Sequence, residues 1–320
     1  MYPMKLTPAL MDFIWGGTRL KTDFHKQTEL EKVAESWELS CHPKGPSVIS
    51  NGDCRGMTLA EYIEKNGKSV LGTNCERFED FPILIKLIDA KDNLSVQVHP
   101  DNAYAMAHEG EYGKTEMWYV IDADPGATLL YGFKDKISPE EFRRRIEENT
   151  LLEVTNAVEV KPGDVLFIES GTLHAIGKGI MIAEIQQNSS ITYRIYDYGR
   201  VGNDGKPREL HIEKAIDVTK LEPPTRGIKP EGMPEQKDGY TATRLASCAY
   251  FTTTALELAD HAALTVDGAS FHSLLCVEGG AELSSANGAV TIEKGDSVFL
   301  PAGFGDYRLE GDGKLVLTTV

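Results

Sequence analysis

The sequence predicts an all-β-dominated protein, two jelly-roll barrels with a few peripheral helices. Three observations predict it. Short Val/Ile/Leu/Phe/Tyr runs punctuated by Gly, Asp, Asn and Pro recur along the chain, at 81–88, 181–186 and 192–196 among others, and such runs read as strands. Helix signals are few and fall between those runs. A weak internal repeat aligns residues 161–174 with residues 294–306. In each copy a Gly-Asp turn leads into an apolar strand, and a second Gly turn ends it.

Element by element, Thr58 starts a helix, because Glu61 follows at capping-box spacing. Ser138 repeats that logic with Pro139 in the first turn. Residues 208–221 are a third helix candidate. Strands are expected at 95–100, at 113–121 and over the apolar run 165–168. Residues 221–239 are rich in Pro, Gly and charge and lack apolar periodicity, so they read as a linker. This divides the chain into a catalytic domain over 1–230 and a C-terminal β domain over 231–320. Paired patterns of this kind recur in double-stranded β-helix (cupin) barrels, which enclose a ligand cavity. The first repeat ends in Gly-x-x-His174 and the second in Gly-x-x-Asp306. Ligand chemistry is therefore expected in the first barrel and a structural role in the second.

Composition sets bounds. A chain of 320 residues can bury a sizeable core, and its length suits about two domains. A formal charge of −16 argues against nucleic acid or an anionic membrane as partner. An anionic ligand then requires a few Lys and Arg to invert the field locally. Cys41, Cys54, Cys75, Cys248 and Cys276 are odd in number without CxxC spacing, which fits reduced thiols better than disulfides or a cysteine zinc site. The N-terminal residues lack a signal-peptide layout, and no apolar run approaches the ~18 residues that span a bilayer. The expectation is a soluble cytoplasmic protein, a monomer or weak homo-oligomer.

The stretch Ser95-Val96-Gln97-Val98-His99-Pro100 carries the most chemistry. Strand alternation puts Ser95, Gln97 and His99 on one face. On the strand expected at 113–121, Lys114 and Glu116 share a face, and His174 follows the apolar run 165–168. Gln, His, Glu and His offer nitrogen and oxygen donors suited to a divalent transition ion, most often zinc. Lys86 interrupts an apolar run and needs a partner if buried. Arg194 shares a face with Thr192 and Tyr196, and its fixed fork suits an oxyanion such as phosphate. Trp15 and Trp37 offer aromatic faces, to a ligand pocket or to the core.

Taken together, the motifs resemble the type I mannose-6-phosphate isomerases, or phosphomannose isomerases, in their short bacterial form. The match is carried in order by Trp15-Gly16-Gly17, Glu35-Ser36-Trp37-Glu38, Ile83-Leu84-Ile85-Lys86, Ser95 to Pro100, Gly113-Lys114-Thr115-Glu116, Gly171-Thr172-Leu173-His174-Ala175 and Glu184 to Asp197. The resemblance implies a zinc-dependent aldose–ketose isomerase acting on mannose 6-phosphate and fructose 6-phosphate. It further implies that Gln97, His99, Glu116 and His174 hold one zinc ion and that Arg194 is a key active-site residue. Lys86 is then expected to protonate the ring oxygen or bind phosphate, and Lys114, Arg194, Trp15 and Glu184 to contact substrate, with phosphate near Arg194 and Lys114.

Two positions depart from the family pattern. Thr115 stands where many longer members have Pro, a mild change in a strand. Ser190 stands where relatives often carry Asp, and its hydroxyl is too weakly basic to replace a proton-transfer base. Glu184 is a substitute candidate, and the base stays unassigned. The residues alone also leave open an iron or manganese oxygenase, an isomerase of another sugar, and a non-catalytic sugar or metal sensor.

Overall fold

The computed structural model describes residues 1–202 and 204–320. Three antiparallel sheets dominate it. A six-stranded sheet runs in the spatial order Val165–Ile168, Glu116–Ala123, Ile180–Gln187, Ile83–Ala90, Glu35–Leu39 and Ala9–Met11. A five-stranded sheet faces it, in the order Tyr193–Tyr196, Val96–Val98, His174–Ala175, Thr128–Phe133 and Thr155–Glu159. Together they form the first barrel. The C-terminal strands build a ten-stranded sheet around Gly305–Thr319 and His272–Ser285, the second barrel.

The strands Ile83–Ala90 and Ile180–Gln187 are buried at every position because both of their faces are covered. Alternation sorts their side chains. Ile83, Ile85, Leu87, Met117, Tyr119, Ala183 and Ile185 pack against Phe271, Leu275, Phe299 and Val316 of the second barrel. Ile88, Trp118, Val120, Leu166, Ile168 and Ile182 fill the inside of the first. The polar residues Lys86, Glu116, Glu184 and Gln186 have the same parity as this inner set. They are therefore aimed into the barrel. The second barrel has its own apolar filling, including Leu274, Leu283, Val298 and Leu315.

The internal repeat is structural. Asp164 Oδ2 accepts from Lys161 N at 2.9 Å, and Asp296 Oδ2 accepts from Glu293 N at 2.8 Å. Val120 N donates to Asp164 O and Gly163 N to Val120 O. In the second barrel Cys276 N donates to Asp296 O and Gly295 N to Cys276 O. Gly163 and Gly295 adopt φ of 92° and 94°, a left-handed geometry that excludes most other residues. Asp306, the counterpart of His174, is exposed and accepts from Thr265 Oγ1.

The helix starts at Thr58 and Ser138 form as expected. Thr58 and Glu61 make a reciprocal capping box on Leu59–Asn66, and Ser138 accepts from Glu141 N at the start of Pro139–Glu147. Three expectations change. The helix expected within 208–221 is confined to Ile212–Val218. The strand expected from Gly113 begins only at Glu116. Lys114 N is taken by Pro100 O and Thr115 N by the Gln187 side chain, so neither joins the sheet ladder. Finally, the N-terminal strand Met4–Thr7 pairs with Ser297–Leu300, so residues placed by sequence with the first 230 contribute to the C-terminal sheet. The five cysteines are free, and among the described residues no helix is long and apolar enough to cross a membrane.

Candidate active site

Strand pairing brings the singled-out residues together. His174 lies directly opposite Gln97, and Arg194 lies opposite Gln97 on the other neighbouring strand. In the facing sheet Glu184 sits between Lys86 on one side and Trp118 on the other, and Gln186 is opposite Glu116. Side chains from both sheets converge on a cavity of about 500 Å³ lined by Trp15, Glu35, Trp37, Lys86, Gln97, Lys114, Glu184 and Arg194.

At its base, His99, Glu116 and His174 place one donor atom each within 4.8 Å of one another, all three buried. His99 Nε2 is 3.1 Å from His174 Nε2 and 3.8 Å from Glu116 Oε2, and His174 Nε2 is 3.4 Å from Glu116 Oε1. The tautomers follow from the partners. His99 Nδ1 donates to Ile191 O at 2.7 Å and His174 Nδ1 to Thr172 O at 2.8 Å. A carbonyl only accepts, so each neutral ring presents a lone pair at Nε2. Burial, reinforced by Lys114 and His174, holds the pKa of His99 well below the ordinary value, and burial lowers His174 to about 4. Both rings are neutral near pH 7.

Glu116 supplies the carboxyl oxygens of the group. Neither of its oxygens receives a directed hydrogen bond, although Lys114 Nζ lies 2.7 Å from Oε2. Burial and the neighbouring Glu184 push its pKa up to about 7, against the pull of Lys114. The two Nε2 lone pairs and the carboxylate converge with only Lys114 Nζ, 3.3 Å from His99 Nε2, and the Gln97 amide near them, and this set of two nitrogens and a carboxylate oxygen suits a divalent cation. Gln97 lies beside the triad: its amide nitrogen is 3.4 Å from His174 Nε2, and turning the amide over presents Oε1 there instead.

Above this base sits a row of alternating charges. Lys86 Nζ lies 3.2 Å from Glu35 Oε2 and 3.5 Å from Glu184 Oε1, and 4.8 Å from the centre of a Trp37 ring. Trp37 Nε1 donates to Glu35, and Trp118 Nε1 donates to Glu184 Oε2 at 3.0 Å. Burial opposes the charge on Glu184, but Lys114 and Lys86 outweigh it and lower its pKa, so it is ionised. Lys114 is likewise held charged by Glu116 and Glu184 against burial. Its ammonium stands 2.7 Å from Glu116 Oε2 and 3.4 Å from Glu184 Oε1, between the triad and the row.

The other end is basic. Arg194 Nη1 donates to Glu209 O, its Nε is buried without a partner, and burial and Arg208 lower its pKa. Arg208 and Lys44 line the same end. Ser190 lines it too, with its hydroxyl taken by Lys44 Nζ at 2.7 Å. Sequence reasoning missed Glu35 as a site residue, along with Lys44 and Arg208. Glu35 lay inside a quoted motif and was recoverable from strand parity with Trp37. Lys44 and Arg208 sit in loops that carry no periodic signal.

Comparison with known proteins agrees with this geometry. Residues 4–122 match the catalytic domain of type I phosphomannose isomerase, and residues 241–320 match the cupin domain of mannose-6-phosphate isomerase. The chain is 39% identical to the mannose-6-phosphate isomerase ManA of Bacillus subtilis, covering 99% of this chain and 98% of that one. It is 38% identical to the mannose-6-phosphate isomerase of Streptococcus mutans, over 98% of this chain and 97% of that protein. A crystal structure of the Bacillus subtilis mannose 6-phosphate isomerase superposes with a TM-score of 0.93 at 35% identity, covering 100% of both chains. An oxygenase or a non-catalytic sensor, both left open by the residues alone, has no counterpart among these relatives. The chain belongs to the type I mannose-6-phosphate isomerases, aldose–ketose isomerases built on cupin barrels.

Proposed function

We propose that the chain is a zinc-dependent, cytoplasmic isomerase that interconverts mannose 6-phosphate and fructose 6-phosphate by ring opening and enediol(ate) proton transfer. Residues 1–230 carry the catalysis, and residues 231–320 brace the outer face of the six-stranded sheet. The observation that carries the reading is the convergence of two neutral imidazoles and a buried carboxylate next to a Glu–Lys–Glu row that lines the cavity. Gln97, His99, Glu116 and His174 hold the metal, one ion per chain. When bound, zinc supplies Lewis-acid polarisation of the substrate oxygens next to it.

The residues of the chain do the rest. The sugar enters with its C1–C2 end toward Gln97 and Lys86 and its phosphate toward Arg194. Lys86, set between two carboxylates, is the acid that protonates the ring oxygen on opening. Glu184 and Glu35 flank Lys86 and are the carboxylates placed to accept the C2 proton and return it at C1. Ser190 has no part in that transfer, because its hydroxyl is held by Lys44 and is not basic. Trp15 and Trp37 present ring faces to the sugar and keep water from the enediolate.

The test is a coupled assay with mannose 6-phosphate run in deuterated water. Ketose should form, with deuterium appearing at C2 of recovered mannose 6-phosphate. Metal-loaded protein that yields neither ketose nor exchange would refute the assignment.

A further inference from the structure

The loop Cys41-His42-Pro43-Lys44-Gly45 and the segment around Ser190 close a ring of four hydrogen bonds, of which Lys44 and Ser190 line the cavity. Lys44 N donates to His42 Nδ1 at 3.1 Å. His42 Nδ1 is therefore unprotonated, and Nε2–H points at Glu111 Oε1, 3.0 Å away. The same carboxylate oxygen accepts from Ser190 N at 2.8 Å. Lys44 Nζ then donates to Ser190 Oγ at 2.7 Å, so backbone and side chain of one lysine are tied to the two ends of a single relay.

His42 is buried, 4% exposed, and its ring stands edge-on to Trp37 at 5.5 Å. The loop is itself braced: Gly45 N donates to His42 O and Ser47 N to Ser40 O. An exposed lysine ordinarily samples many rotamers, and fixing one costs entropy. Here the ring fixes it, with its ammonium on the cavity wall.

The charges around Lys44 say what it faces. Lys44, Arg194 and Arg208 all line the cavity. Among the described residues Lys44 and Arg194 form no salt bridge, while Arg208 is tied to Asp197, which also pairs with Arg200. Asp197 is buried behind the wall and does not line the cavity. A chain of net charge −16 thus presents three cationic side chains to this cavity besides Lys86 and Lys114. Lys44 also has spare donors: of three ammonium hydrogens, Ser190 accepts one. Arg194 has already given one amine to Glu209 O and Arg208 its fork to Asp197.

We propose that Lys44 binds the phosphate of the substrate, in a corner completed by Arg194 and Arg208, and that His42 and Glu111 are positioning residues that hold it there. The assignment rests on the reading of a sugar phosphate as substrate and deepens it. It also gives Ser190 a function: the hydroxyl anchors the phosphate-binding lysine.

The decisive probe is inorganic phosphate, titrated calorimetrically into the metal-loaded protein, with Lys44→Ala, Lys44→Gln, His42→Ala, His42→Gln and the double variant His42→Ala/Lys44→Ala. Loss of a charge-assisted contact predicts about 10- to 150-fold weaker phosphate binding for both Lys44 variants. His42→Ala should weaken binding less, and His42→Gln should recover part of the loss. In the double variant phosphate should bind about as weakly as in Lys44→Ala alone, because His42 acts through Lys44; additive losses would reduce His42 to a structural residue and overturn its role. In turnover of mannose 6-phosphate the loss should fall on KM rather than kcat. Phosphate affinity in Lys44→Ala within about twofold of the parent, or no phosphate binding by the parent, overturns the proposal. A parent that binds phosphate through Lys44 yet fails to isomerise would instead refute the isomerase reading and leave this one standing.

Discussion

Trp118 Nε1 donates to Glu184 Oε2 at 3.0 Å from the directly opposite position on the neighbouring strand, and the carboxylate it holds faces Lys86 across the next. This indole sets the orientation of an ionised glutamate inside a barrel. Trp118→Phe preserves the ring and removes the donor, so Glu184 Oε2 loses its partner while buried. The expected cost is about 1–3 kcal/mol of stability, read by denaturant unfolding, with kcat falling more than KM rises.

Arg194→Lys keeps the charge and loses the planar fork. Losing one charge-assisted bond, ~1.5–3 kcal/mol, lowers kcat/KM by roughly 10- to 150-fold. Metal content should stay at the parent level by elemental analysis, since Arg194 is no ligand. Near-parental kinetics with metal retained would mean that the fork geometry is unimportant.

A second buried pair ties the N-terminal region to the second barrel. Lys26 Nζ lies 2.7 Å from Glu38 Oε1 and donates to Gly295 O at 2.6 Å, with Glu38 fully buried. Lys26→Met strands that carboxylate, at an expected cost of about 3–5 kcal/mol. The double variant Lys26→Met/Glu38→Gln should recover a large part of it. Thermal or denaturant unfolding of the three proteins separates a necessary pair from a dispensable one.

Much of this was legible beforehand. Parity along strands put Gln97 with His99 and Lys114 with Glu116 on common faces, because side-chain period 2 survives errors in strand ends. Lys114 reaches the predicted face although it lies outside the sheet ladder. What the sequence concealed depends on loops and long-range contact. Lys44 joins Ser190 across 146 positions, and the strand Met4–Thr7 crosses to the C-terminal sheet because its partner lies nearly 300 residues away. Neither leaves a local pattern. The apolar runs at 81–88 and 181–186 hid their own meaning as well: being covered by two barrels, they carry no polar face except at the site itself.

His272 offers a pH test remote from the triad. Its Nδ1 pairs with Tyr307 OH at 2.9 Å, and burial lowers its pKa to about 4. The folded value lies below the unfolded one, so the unfolded chain binds the extra proton. Its contribution to stability is complete above about pH 6.5 and is lost as pH falls toward 4, at up to ~1.4 kcal/mol per pH unit. His272→Asn, which can still meet Tyr307 OH, should flatten the stability profile across that window.

The proposed function requires that the His99–Glu116–His174 cluster, with Gln97, holds a metal on which isomerisation depends. The direct measurement is elemental analysis paired with turnover of mannose 6-phosphate, before chelation, after it, and after readdition of zinc. About one ion per chain is expected, with activity lost on stripping and restored by zinc, and with Glu116→Gln failing to retain the ion. Undiminished turnover by protein shown to be metal-free would contradict the account.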